Sequence, residues 1–173
     1  NDHLYSNSGS VFFYRLEKGS EVLGSDRAFT KHEFNYQQFQ ALTQAHENIY
    51  MRVSVGVSKV SIFLNEDNFD LGNSHAMRGY DKGDIAGNSY VMANFDYLRP
   101  IFNKSYLRSL VSLDLGSAYK NDKDIDLKHM KSALGIGLYL KVSWFKDLEL
   151  RTNLAYAINA DQTKFYLFVE NKF

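Results

Sequence analysis

Residues 77–99 read Met-Arg-Gly-Tyr-Asp-Lys-Gly-Asp-Ile-Ala-Gly-Asn-Ser-Tyr-Val-Met-Ala-Asn-Phe-Asp-Tyr-Leu-Arg. The first half has glycine and charge at close spacing and no hydrophobic period, which is the composition of a loop. The second half alternates. Val91, Ala93, Phe95 and Tyr97 fall on one side, and Asn88, Asn94 and Asp96 on the other. Successive side chains of a strand point to opposite faces, so a loop here runs directly into a strand with one oily and one wet surface.

The same division repeats along the chain. Downstream, 105–119 places Leu107, Val111, Leu113 and Leu115 against Arg108, Ser112, Asp114 and Gly116. In 128–142, Met130, Leu134, Ile136, Leu138, Leu140 and Val142 oppose His129, Lys131, Gly135, Gly137, Tyr139 and Lys141. In 147–159, Leu148, Leu150, Leu154, Tyr156 and Ile158 oppose Glu149, Arg151, Asn153, Ala155, Ala157 and Asn159; in 163–173, Phe165, Leu167, Val169 and Phe173 oppose Lys164, Tyr166, Glu170 and Lys172. Upstream, Ile49, Met51, Val53, Val55 and Val57 face away from Arg52, Ser54, Gly56 and Ser58, while 10–18 and 29–42 read as less regular strands. Turns fall at Asn103-Lys104, Asn121 to Asp126, Phe145-Lys146 and Ala160 to Gln162. The count is eight strands, most of the ten or so residues that a tilted membrane strand needs.

Composition agrees with an all-β chain. Aromatic residues make up 15% of the 173 residues and there is one proline. Twenty basic residues balance twenty acidic ones, so no field draws in nucleic acid, and the absence of cysteine excludes a disulfide framework and thiolate metal sites. A mean hydropathy of -0.37 suits a soluble protein but is uninformative for a barrel, in which only alternate residues meet lipid. Periodicity leaves a soluble antiparallel sandwich or barrel open as an alternative. Against it, the second face carries charge, glycine and serine, where a soluble barrel packs apolar side chains inward.

Arg78-Gly79-Tyr80, followed by a strand that ends Asp96, Tyr97, Arg99, Pro100, resembles the superfamily of outer-membrane barrels that contains the BamA-type insertases and the two-partner secretion transporters, also called bacterial surface antigens. In that family an Arg-Gly-aromatic loop folds back into the barrel ahead of the last five of sixteen strands. Five strands follow Arg78 here and three precede it, so the resemblance covers nearly all of 1–173 and implies the C-terminal half of an antiparallel transmembrane β-barrel with a plug loop at about 60–87. It implies further strands, and periplasmic POTRA repeats, upstream. It implies a lumen partner for Arg78, with Asp114 of Asp114-Leu115-Gly116 as first choice and Asp96 as second. Gly83, Asp84 and Gly87 are similar to the Gly-Asp turn of the secretion transporters, and Phe173 with Val169 and Leu167 resembles the C-terminal signal that the outer-membrane assembly machinery reads.

Chemistry of other kinds finds no footing. No Gly-x-Ser-x-Gly elbow, phosphate-binding loop or dinucleotide fingerprint occurs, and His3, His32, His46, His75 and His129 lack ligand spacing. The acidic run Asn65 to Asp70 lacks the glycine and the final glutamate of a calcium loop and reads as a solvated base to the plug. Tyr139, Trp144, Phe145 and Tyr156 are candidates for an interfacial girdle or for core. The expectation is therefore a barrel of the outer membrane of a Gram-negative bacterium, with lipid and polypeptide as partners, no cofactor, no metal and no catalytic residue. The alternatives are the anchor of an upstream enzyme, as in patatin-like lipases, and a soluble all-β binding module.

Overall fold

The computed structural model describes residues 8–20, 24, 28–42, 46–60, 68–102, 104–120, 124–142 and 148–171. Eight strands form one antiparallel sheet: β1 (Ser8–Gly19), β2 (Phe29–Ala41), β3 (Asn48–Val60), β6 (Ser89–Ile101), β7 (Lys104–Tyr119), β8 (Lys131–Val142), β9 (Leu148–Ala157) and β10 (Gln162–Asn171). They pair in chain order, each with the next, and β1 and β10 lie at the two ends without closing a ring. Between β3 and β6, two short strands, β4 (Phe69–Asp70) and β5 (Ala86–Gly87), pair with each other and tie the base of the 68–88 loop.

Register converts the alternation into surfaces. On one face Met51, Phe95, Leu113, Leu134 and Tyr156 stand directly across from one another in a row, and Ile49, Tyr97, Val111, Ile136, Leu154 and Phe165 form the next. Many of these are exposed, with Ile136 at 61% and Phe165 at 64%, so the oily face packs against no other part of the described chain. The opposite face buries Ser54, Asn94, Asp96, Ser112, Asp114 and Asn153. An oily outside around a polar inside is the reverse of a soluble core.

The sheet is curled around that polar face. The His75 carbonyl accepts a hydrogen bond from Arg52 of β3, while the His75 ring lies 5.5 Å from that of Phe168 of β10. Those strands stand five positions apart in the sheet order, about 24 Å on a flat sheet at about 4.8 Å per strand. One residue touches both only if the sheet rolls into a trough. Arg151 of β9 reaching to 3.6 Å from Asp96 of β6 requires the same curvature.

Two strand bounds and the polarity pattern of β1 depart from the sequence reading. The strand expected over 128–142 begins at Lys131, because Asp126 accepts from the Lys128 amide at 2.9 Å and draws Leu127–His129 into a single 3-10 turn. The strand expected to 159 ends at Ala157, where the Ala160 amide bonds back to the Ala157 carbonyl and Asp161 takes a positive φ. β1 does not alternate in polarity, because Val11 and Phe13 on its inner side line a cavity while Phe12, Tyr14 and Leu16 face outward. The turn residues Asn121 to Lys123 and Phe145-Lys146, with Trp144 and Asn65 to Asp67, lie outside the described residues.

Candidate functional site in the hollow of the sheet

The loop from Asn68 to Asn88 lies in the trough, and its conformation follows from a few local bonds. Asp70 accepts from the Gly72 amide at 2.9 Å and the Gly83 amide at 2.8 Å, so it joins the two arms of the loop. It is a partly buried clasp rather than the solvated acid the sequence suggested. Asp84 accepts from the Asp81 amide at 2.8 Å, and Gly83 supplies the φ of +92° between them. Gly87 is not part of that turn: it sits in β5, where a β-carbon would meet the Tyr119 backbone oxygen at 2.4 Å.

Apolar anchoring comes from the loop itself. Leu71, Met77, Tyr80 and Ile85 are buried against Tyr90 and Met92 of β6, Ala133 of β8 and Ala157 of β9. Each such side chain contributes about 1.5–3 kcal/mol when fully buried. The wall makes room for them with small residues. Gly116 is one, since a β-carbon there would come within 2.9 Å of the Met77 sulfur.

The three motif residues each meet a different part of the wall. Arg78 turns toward β6 and β7. Its Nε donates to Asp114 Oδ2 at 2.7 Å and its Nη2 to Asp114 Oδ1 at 2.5 Å and Asp96 Oδ1 at 2.7 Å, while its backbone amide donates to Asp114 Oδ2 at 3.0 Å. Gly79 passes over β9 with φ +90°, and its amide donates to the Tyr166 hydroxyl of β10 at 3.0 Å. Tyr80 is 1% exposed, and its hydroxyl donates to the Ser132 carbonyl at 2.9 Å, with Asn159 Oδ1 at 3.2 Å.

Arg78 is 4% exposed and Asp114 1%, so the charges are out of water. Burial alone pushes the guanidinium down its titration scale; the hydrogen bonds and negative charges of Asp114 and Asp96 outweigh it and hold Arg78 above its ordinary value. Asp114 accepts four hydrogen bonds, the fourth from Asn94 Nδ2 at 2.7 Å. Register explains that contact: Arg52, Asn94 and Asp114 stand in one row across β3, β6 and β7, and Arg52 Nε donates to Asn94 Oδ1 at 2.9 Å. The Asp-x-Gly spacing thus has a mechanical reading. Two residues apart on one face, Asp114 receives Arg78 and Gly116 admits Met77.

The two carboxylates are not equivalent. Asp114 takes two guanidinium bonds and two amide bonds, whereas Asp96 takes one close guanidinium bond and a longer contact from Arg151 at 3.6 Å. Asp114→Asn is therefore expected to loosen the loop more than Asp96→Asn, measured as the rate of limited proteolysis within 77–88. Equal rates would contradict this ranking. Tyr80→Phe removes the hydroxyl that bonds the Ser132 carbonyl, which keeps the Ile158 amide as donor, at a cost of about 1 kcal/mol of docking. Burial raises the Tyr80 phenol above its ordinary value of about 10. The stabilisation is thus complete below that value and is lost as pH rises through the higher folded one. Proteolysis of the wild-type loop should be flat with pH up to about 10 and accelerate above it.

Sequence reasoning missed several members of this site. Arg52, Asn94, Arg151, Asn159, Tyr166 and Asp70 all contact the loop or its partners. Arginine on the inner face of a strand was the available signal for Arg52 and Arg151. Arg151 lies 5.0 Å from the Tyr139 ring and 5.5 Å from the Phe168 ring, which places Tyr139 inside and not in an outer girdle; Tyr156 is on the outer face. Leu167 and Val169 are exposed on that outer face, and Phe173 lies outside the described residues. No group of three potential metal ligands occurs among the described residues.

A curled antiparallel sheet with an oily exterior, a polar hollow and a loop pinned in it by a buried arginine is the wall of an outer-membrane type of β-barrel. The family model of the Omp85 superfamily domain matches residues 1–169, and the chain belongs to that superfamily. No curated protein matches the chain. The superfamily in general works at the outer membrane, moving polypeptides across it or inserting them into it, and its members are transporters and insertases.

Proposed function

We propose that this chain is the C-terminal half of a barrel in the outer membrane of a Gram-negative bacterium, and that it passes polypeptide across the membrane or inserts it there without making or breaking a bond. The observation that carries the reading is the Arg78 cluster. The four apolar anchors contribute to docking by burial, whereas a buried ion pair roughly offsets its own desolvation. What the ion pair adds is a defined position, since any displacement of Arg78 leaves Asp114 buried without its cation and Asp96 with only the longer contact to Arg151. A plug that must hold one place in a water-filled passage, and be able to leave it as a unit, has use for such a pin.

Connection lengths orient the wall. Residues 42–47, 102–103 and 143–147 join strands on one rim, and 20–28, 61–88, 120–130 and the short 158–161 on the other, which carries the three longest connections. Short turns face the periplasm and long loops the exterior in barrels of this type, so the plug enters from outside. Polypeptide would approach from the short-turn rim. There β1, β2, β3, β6, β8 and β9, together with the loop at His75 and Arg78, line a cavity of about 390 Å3, with Phe13, Phe39, Tyr50 and Tyr139 beside Arg52 and Arg151. In this reading the partners are lipid, the polypeptide substrate, upstream POTRA domains and the assembly machinery, which would recognise Leu167, Val169 and Phe173.

Depletion of the full-length protein in its own cells tests this. Loss of one or more polypeptides from the outer membrane or the medium, with periplasmic accumulation, is the expected result. An unaltered outer-membrane and secreted protein profile would overturn it. If a Gly-x-Ser-x-Gly segment lies upstream in the full-length chain and lipid hydrolysis is what depletion removes, the barrel is an enzyme anchor instead.

A further inference from the structure

Asn94 is 3% exposed on the inner face of β6, and both ends of its side-chain amide are bonded. Its Nδ2 donates to Asp114 Oδ1 and to the Ala76 carbonyl, each at 2.7 Å, and its Oδ1 accepts from Arg52 Nε at 2.9 Å. One side chain thus touches the acid that receives Arg78, the main chain of the loop and an arginine of β3. Arg52 also meets the loop directly, because its Nη2 donates to the His75 carbonyl. Two successive carbonyls of the loop are therefore held from the wall, one by β3 and one by β6. The partners also dictate which way the amide points. A carboxylate and a peptide carbonyl only accept, and a guanidinium only donates. Turned by 180°, the amide would set its oxygen against Asp114 and its N–H groups against Arg52. The Arg52 charge further polarises the amide toward donation.

We propose that Arg52 and Asn94 form a second pin on the loop, in which Arg52 is a positioning residue that orients the Asn94 amide to hold Asp114 ready for Arg78 and to grip the main chain at Ala76. Arg78 fixes the loop through its own side chain, which reaches out to β6 and β7. Arg52 and Asn94 work in the other direction, from the wall onto loop carbonyls. The two pins share one carboxylate, since Asp114 Oδ1 accepts from both Asn94 and Arg78. Loss of Arg52 therefore acts at Arg78 without any contact between the two arginines being needed. The pin concerns the docked loop alone and stands or falls apart from the transport reading.

The test is hydrogen exchange at the Arg78 backbone amide, whose acceptor is Asp114 Oδ2, in the full-length protein in bilayers. Arg52→Met should speed that exchange about tenfold or more, the size of a hydrogen bond to a charged group, and Arg52→Lys by less, since an ammonium keeps the charge but not the fork. Asn94→Asp preserves the shape of the side chain and its bond to Arg52, yet it turns two donors into acceptors and sets a carboxylate against Asp114. It should quicken the Arg78 amide more than Asn94→Ala does. A side chain that merely filled space would give the opposite order, and that order would overturn the proposal. When Arg52→Met is added to Asn94→Ala, its factor should fall well below its factor in wild type, because much of its action runs through Asn94. Equal factors in the two backgrounds would overturn the proposal as well. The Gly72 and Gly83 amides, which bond Asp70 at the base of the loop, should match wild type throughout. Quickening there as large as at Arg78 would report general loosening and contradict a pin at this place. Where Arg52→Met does not assemble, Arg52→Lys and the order of the two Asn94 variants decide.

Discussion

Replacing Arg78 with alanine is expected to weaken docking of the 68–88 loop by about 3–5 kcal/mol and, on the proposed function, to abolish transport, while the amount of barrel in the membrane changes little. The loss is large because the partners remain. Asp114 and Asp96 would be left buried together with their common cation gone, and Asp114 would keep the Asn94 bond and, if the loop stays, the amide of residue 78. Two carboxylates so placed repel each other and draw in water, which opens the loop. Arg78→Lys should recover only part of the loss. An ammonium is a single point charge, whereas the guanidinium here spans both oxygens of Asp114 and one of Asp96. Limited proteolysis of the loop and delivery of polypeptide, measured side by side, check this. Wild-type transport in Arg78→Ala would contradict it.

The second large effect is expected at Gly79. Valine there meets two independent penalties. The φ of +90° lies in a region that a branched side chain strongly disfavours, at a cost of about 1–2 kcal/mol. In addition, a β-carbon would come within 2.9 Å of the Ala157 backbone nitrogen and 3.1 Å of its methyl. Backbone of a paired strand cannot yield as a side chain can, so the loop must lift, at a further cost of about 1–3 kcal/mol. Lifting there also breaks the Gly79 bond to Tyr166 and shifts Arg78 and Tyr80 on either side. Gly79→Val should thus give the proteolytic pattern of an undocked loop, with Gly79→Ala intermediate. Gly24, whose φ is +82° with nothing within 4 Å of a β-carbon, provides the comparison, since alanine there pays the conformational cost alone.

Much of the fold was legible because a barrel wall is written in a period of two. β3 and β6 to β10 each keep a largely oily outer face, and the register aligns those faces along Met51, Phe95, Leu113, Leu134 and Tyr156. β1 was less legible because its inner residues Val11 and Phe13 line a cavity and are as apolar as its outer ones. The 3-10 turn at Leu127–His129 was hidden for a different reason: Met130 and His129 continue the alternation formally, and only the Asp126 cap shows that the chain has left the strand.

The site was legible in part. Arg78 could be paired with Asp114 and Asp96 only through the family resemblance, which implies a lumen position for the loop arginine; a charge there needs a partner, and alternation puts both acids on the inner face. Arg52 and Arg151 carried one signal, a charge on the inner face of a strand, whereas Asn159 and Tyr166 satisfy the same alternation and carried no mark that set them apart. Which of them meets the loop depends on how tightly the sheet curls, and curvature is a property of the whole sheet rather than of any segment. His75, touching β3 and β10 together, records that curvature.

The most direct test of the account is the cellular location and gel mobility of the full-length protein, comparing heated with unheated samples. The account predicts recovery in the outer-membrane fraction and a faster-migrating band before heating, the mark of a closed barrel resistant to detergent. Recovery in the soluble fraction with one mobility, heated or not, would mean that the face bearing Phe95, Ile136, Leu154 and Phe165 is covered by protein and not by lipid, and would contradict the account at its foundation.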